Sequence, residues 1–203
     1  MWTSMAVLPI CLLGNPVLRA KTTEVSVFDE PRRALYGQML EAMYRANGIG
    51  IAAPQVGWTE RVFLIDLGAA STRSELVGSC RFDGQPVAPQ SLMPLTFINP
   101  VITEFSEKKA FVPEGCLSIP KISGSVERSL AVTVSFQDSK GEKHTLACEK
   151  LLAQCVQHEF EHLEGVLWID HLDTASRARL RPRLEALERR GRRQKIPLPL
   201  ASP

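Results

Sequence analysis

Histidine is scarce in this chain, four residues among 203, and cysteine occurs in an odd number, at Cys11, Cys80, Cys116, Cys148 and Cys155, with no repeating spacing. An odd set without a framework excludes a secreted disulfide scaffold and points to a reducing compartment. No apolar run is long enough to cross a bilayer. The stretch Met5–Leu13 is too short, is broken by Pro9 and has no basic region ahead of it, so no membrane contact is expected and the protein is expected in the cytoplasm. Internal repeats are lacking, and apart from the C-terminal end no part has the composition of a disordered segment. A hydrophobic fraction of 44% and a charged fraction of 23% are ordinary for a globular protein.

At 22.5 kDa the chain suits one domain with an appended tail. Its net charge of +2 hides an asymmetry: between Arg177 and Lys195, eight Arg and one Lys stand against Glu185 and Glu188, leaving that stretch at +7 and the remainder at −5. The basic character belongs to the tail alone.

Taken in order, Leu8–Arg19 is an extended or turning segment punctuated by Gly14 and Pro16. Pro31 suits the first turn of a helix that runs to Ala46, with Leu35, Met39, Leu40 and Met43 on one face. Gly48–Gly57 is a small-residue loop. It lacks the Lys of a P-loop and follows a helix where a dinucleotide fingerprint follows a strand, so it reads as room for close backbone approach beside one amide, Gln55. Arg61–Asp66 and Leu95–Glu104 read as strands, and the stretch between them, 69–94, as an insertion forming a surface excursion or lid. Leu130–Gln137 and Lys143–Cys148 form a hairpin around Ser139, Lys140 and Gly141. The predicted class is α+β, with antiparallel sheets packed around a central helix, an N-terminal helix and a C-terminal basic helix or tail. The expected organisation is a catalytic domain over 1–172 and a basic helix and tail over 173–203. Asp173 can cap that last helix, whose Leu180, Leu184 and Leu187 share a face, and Pro182 must kink it or mark a new start.

The central helix is Lys150–His162, with Gly165 as its stop, and it carries His158, Glu159 and His162 as H-E-x-x-H. Positions four apart share a helix face, so two imidazoles can converge on one ion while the adjacent carboxylate handles the proton of a bound water. The bland alternative is a structural helix with two incidental histidines. Two histidines leave a metal site incomplete. Trp168 stands where a metalloprotease of the H-E-x-x-H-x-x-G-x-x-H kind places its third His, and Glu185 and Glu188 in the Arg-rich tail are poor substitutes. Cys116, in the run FVPEGCLSIP, is the better third ligand, although a lone cysteine is more often a small buried hydrophobe.

Three motifs, G-x-G-x-A-A-x-Q at Gly48–Gln55, E-G-C-L-S at Glu114–Ser118 and Q-H-E-x-x-H at Gln157–His162, together resemble the peptide deformylase family, as does the opening GNPVLR. The resemblance runs from about Val7 to Leu172. It implies that Cys116, His158 and His162 hold one divalent ion, Fe(II) in most of the family, with Zn, Ni or Co also accepted by this donor set. It implies Glu159 as general acid and base, and Gln55 with the Leu117 N–H as oxyanion donors, in a reaction where metal-activated water removes the formyl group from N-formyl-methionyl nascent peptides and releases formate. Gly48, Ile49, Gly50, Gly115, Leu151 and Cys155 are the implied substrate-binding residues, and a monomer is expected. Glu161 departs from the family's usual Asp, Gln154 from an apolar or basic residue, and Ser123 from a frequent Arg. These departures bear on helix support and substrate preference. The basic tail reads either as a solvated surface or as an anchor for ribosomal RNA phosphates. An H-E-x-x-H metalloprotease and a catalytically inactive RNA- or ribosome-binding homologue are the rival classes.

Overall fold

A computed structural model describes residues 7–196; the start of the Met5–Leu13 stretch and the end of the 173–203 tail lie outside the described residues. The chain forms helix α1 (Glu30–Arg45), strands β1 (Gly50–Ala52) and β2 (Val62–Ile65), a short helix α2 (Ser74–Val77), strands β3 (Cys80–Phe82), β4 (Gln85–Pro86), β5 (Leu95–Phe105), β6 (Lys109–Cys116), β7 (Ile119–Ser129), β8 (Ala131–Gln137) and β9 (Lys143–Glu149), and helices α3 (Lys150–Leu163) and α4 (Thr174–Arg192). The order in the main sheet is β1-β2-β5-β8-β9-β3-β4, with β6 and β7 pairing separately. Every pairing of these strands is antiparallel, as the α+β reading requires.

Local chemistry explains the main elements. Asp29 caps α1 by accepting from the Arg32 N–H at 3.1 Å, Pro31 sits in its first turn, and Leu35, Tyr36, Met39, Ala42 and Met43 bury one face. Along β2, β5 and β8 the rings of Phe63, Phe97 and Phe136 form a ladder with centroids 4.5 Å apart at each step. Helix α3 lies against this sheet through Leu152, Ala153, Val156 and Leu163, all in the same core cluster as the ladder. The β8–β9 turn is held by Asp138, whose Oδ1 accepts from the N–H groups of Lys140 at 2.8 Å and Glu142 at 2.9 Å, while Gly141 supplies a φ of 88°.

Two stretches differ from the sequence-based expectation. The 69–94 segment, expected as a surface excursion or lid, contributes β3 and β4 to the main sheet, with β3 on β9, and Val77 and Cys80 enter the core. None of its described residues borders the cavity beside α3. Its pieces are two to five residues long, too short for a sequence period to register. The β6–β7 hairpin carries no strand pattern in its sequence. Pro113, Gly115 and Gly124 break its alternation, and Gly124 is required because a Cβ there would meet the Trp168 ring at 2.5 Å.

Pro182 does not start a new helix, since one helix runs through it, with Asp173 Oδ1 accepting from the Ser176 N–H at 2.8 Å. Leu184 is buried and Leu180 and Leu187 pack around it, against Trp168 and Val126. Gly191 allows the helix to touch the backbone of Leu13, and the Gln194 amide accepts from the Leu12 N–H at 2.8 Å and donates to the Ile10 carbonyl at 2.7 Å. No described helix is long and apolar enough to cross a membrane. Truncating the ladder with Phe97→Ala is expected to cost about 3–5 kcal/mol of stability, measured as a shift of the urea-denaturation midpoint; a variant indistinguishable from the parent would show that the ladder is not the centre of the core.

Candidate metal centre

His158 and His162 project from one face of α3, as their spacing dictates, with ring centroids 5.0 Å apart and planes at 81°. Cys116 arrives from the end of β6, where a register shift between Gly115 and Cys116 turns the strand, and its Sγ lies 3.3 Å from His162 Nε2. One donor atom from each of Cys116, His158 and His162 falls within 4.8 Å of the other two. A thiolate and two imidazoles in such a cluster fit a divalent transition metal. Cys116 and His158 border a cavity of about 750 Å³, so the donors are open to solvent on that side.

The groups behind the donors are fixed by a buried ionic chain. His158 Nδ1 donates to Glu114 Oε2 at 2.9 Å, which leaves Nε2 as the free donor atom. Glu114 takes two further bonds from Arg128, at 2.6 and 3.0 Å, and Arg128 reaches Glu161 by another two, at 2.5 and 2.9 Å. His171 closes the chain at 2.9 Å from Glu161 Oε1. Glu161 is therefore the link between α3 and Arg128. Gln157 pins the same helix to β7, its amide donating to the Ser129 carbonyl at 2.9 Å and accepting from the Ser129 N–H at 3.1 Å. Sequence reasoning assigned no role to Glu114, Gln157, Arg128 or His171. Glu114 and Gln157 stand inside the quoted motifs, whereas no local pattern marks Arg128 or His171.

Electrostatics follow from this packing. Burial would raise the Glu114 carboxyl, but the bonds from His158 and Arg128 outweigh it and hold the group at about 2. Burial likewise opposes charge on His158, yet Cys116 and Glu114 push its pKa well up, while burial and the neighbouring His158 push His162 well down. Glu159 is 4% exposed, and burial lifts it to about 7, with His158 pulling it down and Glu114 pushing it up. Its Oε2 has no hydrogen-bond partner, and its Oε1 lies 2.4 Å from where a Cβ on Gly50 would stand, so a side chain at Gly50 would displace the carboxylate.

Gln55 sits in a 3-10 turn, Ala53–Val56, with its Oε1 accepting from the Ala52 N–H at 2.8 Å. That bond aims the amide NH₂ at Cys116 Sγ, 3.4 Å away, and at Ser118 Oγ, 3.3 Å away. Gly48, Ile49, Gly50, Gly115, Leu117, Leu151 and Cys155 all border the same cavity as Gln55, Cys116, His158 and Glu159, so of the sequence-predicted site residues only His162 is not on its wall. Gln154 borders it too and is tied down by donating to the Pro113 carbonyl at 2.9 Å. Ser123 pairs with Gly115 across the hairpin and faces solvent away from the cavity lining.

The ionic chain generates a pH prediction. The Glu114 carboxyl is held below its ordinary value of 4.5, so its contribution to stability is present above pH 4.5 and is lost as pH falls toward about 2. In the metal-free protein that contribution is roughly 3 kcal/mol. Urea unfolding at stepped pH should show a shallower acid loss in Glu114→Gln than in the parent; parallel curves would remove Glu114 from the account.

The family model for Polypeptide deformylase matches residues 7–178. Among curated proteins, the peptide deformylase of Opitutus terrae is 42% identical over 166 residues, covering 81% of this chain and 84% of the relative. That of Zymomonas mobilis is 41% identical over 180 residues, covering 89% and 94%. Among solved structures, a peptide deformylase from Synechococcus elongatus in complex with actinonin superposes with a TM-score of 0.73 at 36% identity, covering 91% of this chain and 88% of the other. A Plasmodium falciparum peptide deformylase gives 0.77 at 32% identity, covering 92% and 99%. With the family match spanning most of its length and its fold shared with these structures, the chain belongs to the polypeptide deformylase family of hydrolases.

Proposed function

We propose that the protein removes the formyl group from the N-terminal formyl-methionine of newly made polypeptides, releasing formate, with Glu159 as general acid and base and Gln55 with the Leu117 N–H as oxyanion donors. The observation that carries this reading is the convergence of Cys116, His158 and His162 beside the buried Glu159 and the aimed Gln55 amide on one cavity wall. A divalent ion held by those three residues, Fe(II) by family resemblance, supplies Lewis acidity that lowers the pKa of water and polarises the formyl carbonyl.

The chain's own groups do the rest. An extended substrate lies along Gly48–Gly50 and Gly115, where β1 is the outer strand of the sheet and leaves backbone groups for strand-like pairing. Its first side chain enters the pocket between Ile49, Leu151 and Cys155. Negative charge grows on the formyl oxygen during attack, and the Gln55 NH₂ and Leu117 N–H receive it. One such donor is worth about 3–4 kcal/mol. Glu159, raised to about 7 by burial, takes the proton of the attacking water near neutral pH and delivers it to the departing amine. All these groups come from one chain, so a monomer suffices. A protease reading lacks its usual third ligand, because the H-E-x-x-H partner here is the cysteine of β6.

Formate release from a formyl-Met peptide tests the activity. Glu159→Ala should lower turnover by about 10²–10⁴-fold with the metal content unchanged, and Cys116→Ala should lose the metal. An active Glu159→Ala enzyme would falsify the mechanism, and metal analysis of anaerobically purified protein identifies the ion.

A second function rests on the outer face of α4. Arg189 and Arg190 are exposed there and Arg193 just past the helix end, while Leu184 anchors the opposite side. We infer that this face contacts ribosomal RNA phosphates. Cosedimentation with ribosomes should weaken in Arg189→Gln/Arg190→Gln/Arg193→Gln and fall with added salt; equal pelleting of parent and variant would sink the idea.

A further inference from the structure

A second cluster of metal-ligating side chains stands at the β8–β9 turn, where one donor atom from each of Asp138, Glu142 and His144 lies within 4.8 Å of the other two. The imidazole among them is oriented in the manner of a ligand. His144 Nδ1 is 2.8 Å from Asp83 Oδ2, and the ring is flanked by Phe82 at 4.8 Å and Phe136 at 5.9 Å. Asp83 is itself fixed, its Oδ1 accepting from the Thr145 N–H and its own N–H donating to the Thr145 carbonyl, each at 2.8 Å. When a histidine donates its Nδ1–H to a carboxylate, the lone pair is placed on Nε2, the arrangement that supports most metal-bound imidazoles.

That Nε2 faces Asp138 Oδ2 at 3.8 Å, too far for a hydrogen bond. Asp138 Oδ1 is already occupied by the turn N–H groups of Lys140 and Glu142, so Oδ2 is the oxygen left for a ligand. Glu142, exposed at the same turn, supplies the second carboxylate. The carboxylates of Asp83, Asp138 and Glu142 are balanced here by Lys140, Lys143 and Arg81, so it is the placement of the donor atoms and not net charge that points to an ion. The His144 side chain is 19% exposed, so the ring is reachable from solvent.

We propose that Asp138, Glu142 and His144 form a second divalent-cation site, of the zinc class that accepts imidazole with carboxylate, with Asp83 supporting it from behind His144. The ion would brace the β8–β9 turn against the β3–β4 turn, which carries Asp83. It shares no residue with the Cys116, His158 and His162 cluster and does not depend on the deformylase reading.

Titration of the metal-loaded protein with Zn²⁺, followed by equilibrium dialysis and metal analysis, should give one more equivalent per chain than His144→Ala retains. Glu142→Gln, at an exposed position, should also lose that equivalent, with formate-releasing activity unchanged. Asp83→Asn should weaken the second site by about 10–100-fold although Asp83 holds no ion. The proposal is overturned if parent and His144→Ala bind the same number of ions, the result expected when a protonated His144 merely bridges Asp83 and Asp138. The difference between the two proteins is read without turnover, so it stands apart from any failure of the deformylase assay.

Discussion

The metal centre depends on one buried cation. Arg128 is 4% exposed and holds two carboxylates, Glu114 from the hairpin and Glu161 from α3. Burying such charges is costly unless each is paired and hydrogen-bonded, and here every guanidinium nitrogen is committed to one carboxylate or the other. The pairing joins the two elements that carry the clustered donor atoms, β6 with Cys116 and α3 with the histidines. Through Glu114 it also sets the donor nitrogen of His158. Glu161 makes this bridge and reaches His171 as well.

Close backbone approach is the second constraint. The missing side chain at Gly50 makes room for the Glu159 carboxylate, so the loop Gly48–Gly57 and α3 are fitted to each other at that point. The same loop turns Gln55, whose carbonyl is consumed by the Ala52 N–H and whose donors face Cys116. The backbone extends this coupling outward. The Cys11 N–H donates to the Gln55 carbonyl at 2.7 Å and the Leu13 N–H to the Ser118 carbonyl at 2.9 Å, and α4 rests on that opening segment through Gly191 and Gln194. The C-terminal helix is thus part of the packing around the centre on one face and a basic surface on the other.

Long periodic elements and the chemistry of short motifs were readable from the chain alone. The apolar spacing of α1 and α3, the β8–β9 hairpin with its turn at Ser139, Lys140 and Gly141, and the four-residue separation of His158 and His162 are local properties, because helix and strand periods are set by the backbone. The three motifs fixed the family for the same reason: they lie in short contiguous runs whose order survives in the sequence. The tertiary structure decided what depends on partners far away in the chain. Pro113, Gly115 and Gly124 obscure β6 and β7, which become strands by pairing with each other over a close contact with Trp168. The short pieces of 69–94 become sheet because β9 offers an edge. Arg128 carries no sequence signal, since its two partners stand 14 and 33 residues away and only folding brings their charges together where water is excluded.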